Sequence, residues 1–267
     1  MLSSASTTLL RRAAASALPR AAAPSLRTAS AALGAVRNLN LHEYQSAQIM
    51  REQGVTVPFG IAAKTVEEAV AAAAEIGDDE VVIKSQILAG GRGLGAFKDG
   101  PGGEPGLKGG VHICAASEVA DYAGKMLGGT LVTKQSGEAG KPVNTVLIAK
   151  KMSLAREFYF AIMMDRASGG PIIIACSEGG TSIEDLAEKF PEKIIKVPVD
   201  LAEGLTPEKA MAVVDGLTVS GDKDAAADQI RALYDLFVAR DCTMVEVNPL
   251  AEDDQGTLIS ADAKIGF

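Results

Sequence analysis

An α+β fold of two sheet-containing lobes is the architecture this sequence predicts, on three observations. Its 267 residues, 47% of them hydrophobic, suffice for one large domain or two small ones with a buried core. Short apolar runs of strand type recur along the chain, and helical segments lie scattered between them instead of alternating strictly with them. The connections mix short turns, which suit antiparallel pairs, with longer crossovers. A ligand is expected between the two lobes.

The first 37 residues differ in composition from the rest. They are rich in Ala and Ser, carry Arg11, Arg12, Arg20, Arg27 and Arg37, and the first acid of the chain is Glu43. That is the composition of an organelle transit peptide over residues 1–37, with mitochondrial import the expectation and plastid targeting the rival, since a secretory signal would follow its charge with one uninterrupted apolar stretch. Removing those five arginines takes the formal net charge from −8 to −13, which argues against any global attraction for nucleic acid. No apolar run approaches a membrane-spanning length. Cys114, Cys176 and Cys242 form no C-x-x-C pair and have only His42 and His112 for company, so buried structural thiols are expected, not a zinc site or a disulfide framework.

The folded part, residues 38–267, reads element by element. Asn40 is placed as the N-cap of a helix running to Gln53-Gly54, with Glu43 in its first turn and His42 in a capping or packing role. Thr65 opens an alanine-rich helix that Gly77 ends, and Val81-Val82-Ile83 is a strand ending in Lys84. From Ala89 to Gly110 glycine dominates, with Pro101 and Pro105, which predicts a long loop with no room for a helix. Strands are predicted at 110–114, 131–133, 143–149, 156–164, 171–175, 244–247 and 258–261. Helices are predicted at 117–126, 182–190, 206–218 and 222–240.

Three features carry chemistry. Lys84 lies seven residues before Gly91-Arg92-Gly93, and glycines at 90, 91, 93 and 95 let backbone N–H groups approach phosphate oxygens while the lysine adds a point charge. The loop is neither a Rossmann fingerprint nor a P-loop, because both open directly into a helix and a P-loop also needs Gly-Lys-Ser/Thr. The second feature is the Arg156-Glu157 pair on a strand. The third is Glu246-Val247-Asn248-Pro249, where residues 246 and 248 share a strand face. If the last two strands pair around Asp254-Gln255-Gly256, Asp262 stands opposite Asn248, an oxygen-only set suited to Mg²⁺ shared with phosphates.

These motifs occur in the order of a known family. Asn38 to Gln45 (NLNLHEYQ), Val82 to Gly93 (VIKSQILAGGRG), Glu246 to Leu250 (EVNPL) and Asp262-Ala263-Lys264 resemble the signatures of the succinyl-CoA synthetase β subunit, from about Leu39 to the last residue. The resemblance implies an ATP-grasp fold, in which two α+β lobes clamp a Mg-nucleotide. It implies that Lys84, Gly91, Arg92 and Gly93 hold the phosphates, that Glu157 helps fix the nucleotide, and that Asn248 and Asp262 ligate Mg²⁺. It further implies a matrix enzyme coupling succinyl-CoA/succinate interconversion to ATP, or alternatively GTP, with an α subunit as heterodimer partner. That α subunit would carry the phosphorylated histidine, and succinate, CoA and phosphate would be the substrates of the complex. Neither nucleic acid nor a membrane is an expected partner.

Two departures accompany the match. Some relatives have a glutamate in the strand lining the adenine pocket, whereas Leu147-Ile148-Ala149-Lys150-Lys151 has none, so adenine recognition is expected to fall to backbone groups. The family's β subunit also continues into a C-terminal CoA-ligase domain, and the sequence read here ends at Phe267 without it. Pro58 resembles the ATP-using members. The alternatives are an ATP-grasp ligase for another dicarboxylate such as malate, or a truncated, non-catalytic nucleotide-binding or assembly protein.

Overall fold

The computed structural model describes residues 40–98 and 106–267. The transit-peptide expectation for residues 1–37 falls outside them. The chain begins its regular structure with α1 (Glu43–Glu52), then β1 (Gly60–Ala63), α2 (Val66–Ile76) and β2 (Glu80–Ser85). Next come β3 (Ala96–Phe97), β4 (Val111–Ala115), α3 (Val119–Met126), β5 (Thr130–Val132), β6 (Lys141–Pro142) and β7 (Val146–Lys150).

The first lobe is an antiparallel sheet ordered β1-β7-β2-β4, with α2 and α3 laid across one face. Thr65 caps α2 by accepting from the Glu68 amide, and Gly77 ends it at φ +74°, a backbone region where glycine alone is free of Cβ strain. Alternate residues of β2, Val81 and Ile83, point into the core with Ala69, Ala73, Val119, Ala123, Met126 and Ile148. A three-stranded sheet, β3-β5-β6, sits beside this lobe.

The second lobe contains β8 (Leu154–Asp165), β9 (Gly170–Cys176), α4 (Ile183–Lys189), β10 (Ile194–Pro198), α5 (Pro207–Leu217), α6 (Lys223–Ala239), β11 (Met244–Asp253), β12 (Leu258–Ser260) and β13 (Ala263–Gly266). Its sheet runs β10-β9-β8-β11-β12, with β13 also pairing β11. Phe158, Phe160 and Ile162 of β8 pack with α5 and α6 on one face, while Tyr159 and Ala161 face Leu186 of α4 on the other. Burial on both faces explains why β8 carries an unbroken apolar run instead of an alternating one. The predicted pairing of two sheet-bearing lobes is therefore present.

Several boundaries differ from expectation for local reasons. The N-cap of α1 is His42, not Asn40: the Gln45 side chain accepts from the His42 amide at 3.0 Å, while Asn40 forms an isolated bridge to Gly266. The glycine-rich stretch is not wholly irregular, since Arg92–Leu94 make one 3-10 turn and Ala96–Phe97 pair with β5. Strands β1, β3, β6, β10 and β13 were not foreseen. Each pairs with one strand only and has two to five residues, too few for a period of two to stand out in the sequence.

All three cysteines are buried and unpaired, as expected. Burial, with Asp241 nearby, pushes the Cys242 thiol up to about 11, and burial with Glu118 raises Cys114. The native protein at pH 8 should therefore react slowly with Ellman's reagent, whereas three thiols should titrate at once in denaturant. One rapid native equivalent would show that at least one of these sites opens to solvent.

Candidate functional site

The site forms where α1, the glycine loop and the last hairpin meet. Although first in sequence, α1 packs on the second lobe: Met50 lies in that lobe's core and the helix contacts β13. Its first residue, Glu43, reaches back to the first lobe. One carboxylate oxygen accepts from Lys84 Nζ at 2.7 Å and the other from Arg92 Nη1 at 2.7 Å. Arg92 Nη1 also donates to the Ser85 carbonyl at 3.1 Å, and its Nη2 donates to Asp262 at 3.2 Å. Lys84 and Arg92 thus converge on Glu43, and Arg92 joins Glu43 to Asp262 from the far end of the sequence.

Glu43 was not among the expected site residues. Its side chain is 8% exposed, against 18% for Lys84, 12% for Arg92 and 35% for Asp262. Burial pushes its pKa up, but Lys84 and Arg92 outweigh that and hold the carboxyl below its usual range. Asp262 shifts the other way, raised by burial and by the nearby charge of Glu43 against the pull of Arg92. Gln86 completes the cluster, accepting from the Tyr44 amide at 3.2 Å and donating to Glu43 at 3.3 Å. The sequence signal for Glu43 is indirect: two cations brought together in a partly buried place require an acid, but nothing local says which of the 34 acids supplies it.

The glycines of the loop divide by purpose. A Cβ at Gly90 would strike the Gln135 side chain, whose carbonyl accepts the Gly90 amide at 2.7 Å, and one at Gly95 would strike the Val132 carbonyl. Gly95 is therefore glycine for packing against backbone, whereas the obstruction at Gly90 is the end of a flexible side chain. Gly91, at φ +73°, and Gly93 have nothing within 4 Å of a built Cβ, so their space is open to a ligand.

The hairpin register agrees with expectation. Leu250 pairs Ser260, Val247 pairs Ala263, and the Asn248 amide donates to the Asp262 carbonyl at 3.0 Å, so the two residues stand opposite one another. Their side chains are held by different neighbours, however. Asn248 Oδ1 accepts from the Gly180 amide at 3.1 Å and its Nδ2 donates to the Thr181 carbonyl at 2.8 Å, whereas Asp262 faces Arg92. Glu157 is exposed on β8, and its carboxylate lies where a Cβ at Gly180 would sit. A Cβ at Gly179 would collide with the Phe158 backbone. The Gly179-Gly180 turn, also unforeseen, therefore fits closely over β8 and links Glu157 to Asn248.

The predicted residues thus form two neighbouring groups, one around Glu43 and one around the Gly179-Gly180 turn, joined by the Asn248–Asp262 rung. A cleft beside the first group is lined by Glu43, Pro58, Lys84, Leu147, Ala149 and Asp262. Because β7 lies between β1 and β2, its backbone at 146–149 is committed to two ladders, and backbone groups for a base begin only past Lys150. Neither histidine is displayed in this cleft. His112 Nε2 lies 2.9 Å from the Gly109 carbonyl, with its ring on Tyr122, and His42 caps α1 with a pKa lowered by burial and Arg92.

A domain model described as the ATP-grasp domain matches residues 40–252. The chain belongs to the ATP-grasp family. Among curated relatives, this ATP-grasp chain is 54% identical over 235 residues to the mitochondrial β subunit of an ADP-forming succinate–CoA ligase of Arabidopsis thaliana, covering 87% of this chain and 54% of that protein. The mitochondrial protein of that name from Saccharomyces cerevisiae is 44% identical over 244 residues, covering 90% and 56%. The chain therefore spans about half the length of the curated relatives it matches. Solved structures show the same fold at low identity. The dinucleotide-forming acetyl-coenzyme A synthetase 1 of Ca. Korarchaeum cryptofilum superposes with TM-score 0.59 at 19% identity, over 85% of this chain and 92% of that one. The ATP citrate lyase of Methanothrix soehngenii superposes with TM-score 0.61 at 18% identity, over 86% and 51%.

Proposed function

We propose that this chain is the nucleotide-binding part of a mitochondrial, ADP-forming succinate–CoA ligase β subunit, working in the matrix with an α subunit. The observation that carries the reading is the convergence of Lys84, Arg92 and Asp262 beside a cleft that also holds Pro58, Leu147 and Ala149. In this reading Lys84, Arg92 and the open backbone at Gly91 and Gly93 receive the phosphates, and the base lies toward Pro58. Glu157 helps fix the nucleotide. Relatives named for succinate favour that substrate over another dicarboxylate, and for an ADP-forming over a GDP-forming reaction. The phosphoryl group passes to a histidine of the α subunit and from there to succinate, with CoA taking the succinyl group as thioester. That assignment agrees with the structural roles of His42 and His112.

Asn248 and Asp262 would hold Mg²⁺. Among the described residues no cluster of three or more His, Cys, Asp or Glu side chains could bind a metal by itself. The donor set still fits, because magnesium takes one or two protein oxygens and completes its shell with phosphate and water. When bound, the ion would neutralise charge on the phosphates. Metal and nucleotide binding are then coupled.

The test is Asp262→Asn, which removes the one full negative charge of the set while preserving its shape. Titration with ADP should show a much reduced benefit from magnesium. In metal-free buffer the variant should bind at least as tightly as the parent, since Arg92 is released from a competing carboxylate. A variant that keeps the parental magnesium dependence would remove Asp262 from the metal site.

A further inference from the structure

The geometry points to Glu43 as a positioning residue for phosphate binding: it bridges Lys84 and Arg92 and presents them together without touching the nucleotide. The inference rests on the nucleotide-binding reading above. Lys84 stands on the first lobe and Arg92 on the glycine loop, and two cations held close in a partly desolvated place repel one another. A carboxylate with one oxygen on each cation, both at 2.7 Å, removes that repulsion and sets their spacing.

Donor bookkeeping shows that Glu43 need not leave when phosphate arrives. Lys84 spends one of its three N–H bonds on Glu43 and has two left. Arg92 spends both Nη1 hydrogens on Glu43 and Ser85 and one Nη2 hydrogen on Asp262, which leaves Nε and the other Nη2 hydrogen. Four N–H donors therefore remain for phosphate oxygens with the bridge intact. A decoy acid that phosphate displaces would have to swing into solvent, whereas Glu43 is nearly buried and tied to Gln86, which also holds the Tyr44 amide beside it. Because α1 belongs to the second lobe's core, the same carboxylate fixes the cations of one lobe relative to the Asp262 side of the other. Ligands bind more tightly to groups already arranged for them.

The experiment compares the full chain with Glu43→Gln and Glu43→Asp, measuring Kd for Mg-ADP by calorimetry and for adenosine by NMR titration. Glutamine offers one acceptor oxygen and turns an amide N–H toward the second cation, so it cannot bridge. Its Kd for Mg-ADP should rise about tenfold while the Kd for adenosine stays put, because only the phosphate contacts depend on the pair. Aspartate keeps the charge on a shorter stem and should lie between, and it carries the test should Glu43→Gln not fold. A folded variant whose ADP-to-adenosine ratio matches the parent overturns the inference, as does an equal loss for both ligands, which marks a merely structural role. A parent chain that does not bind Mg-ADP at all overturns the nucleotide-binding reading itself.

Discussion

Lys84→Ala should weaken Mg-ADP binding by about ten- to a hundredfold, the worth of one charge-assisted contact of about 1.5 to 3 kcal/mol. The sequence alone placed this lysine opposite a phosphate and gave it no partner in the nucleotide-free protein. The structure corrects that, because Nζ is already bound to Glu43. The loss should nonetheless leave the fold intact: Glu43 keeps Arg92 on its other oxygen and Gln86 beside it, so its charge is not stranded. Calorimetric titration combined with a melting curve checks both halves. A folded Lys84→Ala variant with parental affinity would move the phosphates away from this lysine.

Glu252→Ala should lower the free energy of unfolding by about 3 kcal/mol, although it lies away from the cleft. Its side chain is 1% exposed on β11, and one oxygen accepts from the Ser220 amide at 2.9 Å, the Ser220 hydroxyl at 2.9 Å and the Gly221 amide at 2.7 Å. These bonds pin the turn between α5 and α6. Arg156, 3.8 Å from the second oxygen, braces the same turn by donating to the carbonyl and hydroxyl oxygens of Thr218. Alanine would leave two amides and a hydroxyl without their acceptor in a partly buried place. For a protein of this size the melting temperature should fall by about 6 to 12 °C. Glu252→Gln keeps one acceptor oxygen and should lose less. A Glu252→Ala melting temperature within a degree of the parent would show that water satisfies the turn unaided.

The corrections share a cause. The cap of α1 moved by two residues because Asn40 is drawn away to Gly266, which no local pattern records. The strands that escaped prediction are short edges, and two to five residues are too few for a pattern to stand out. Gly95 read as a phosphate-binding glycine beside Gly91 and Gly93, yet it is glycine because the Val132 carbonyl presses against it. A sequence records that a side chain is missing, not what would have occupied its place.

What the sequence by itself determined was local or nearly so. A hydroxyl cap at Thr65, a left-handed glycine at 77 and apolar period along the longer elements are decided within one helical turn or a few strand residues. The rung between Asn248 and Asp262 belongs to the same class, since a short hairpin turn at Asp254–Gly256 sets the register. The tertiary structure alone decided which acid is buried between the two cations, which carboxylate holds the turn before α6, and which glycines are packed or open. Glu43 and Glu252 look like any other glutamate in the chain. Their burial is created by residues tens to hundreds of positions away, and a carboxylate's contribution depends on that environment more than on its neighbours in sequence.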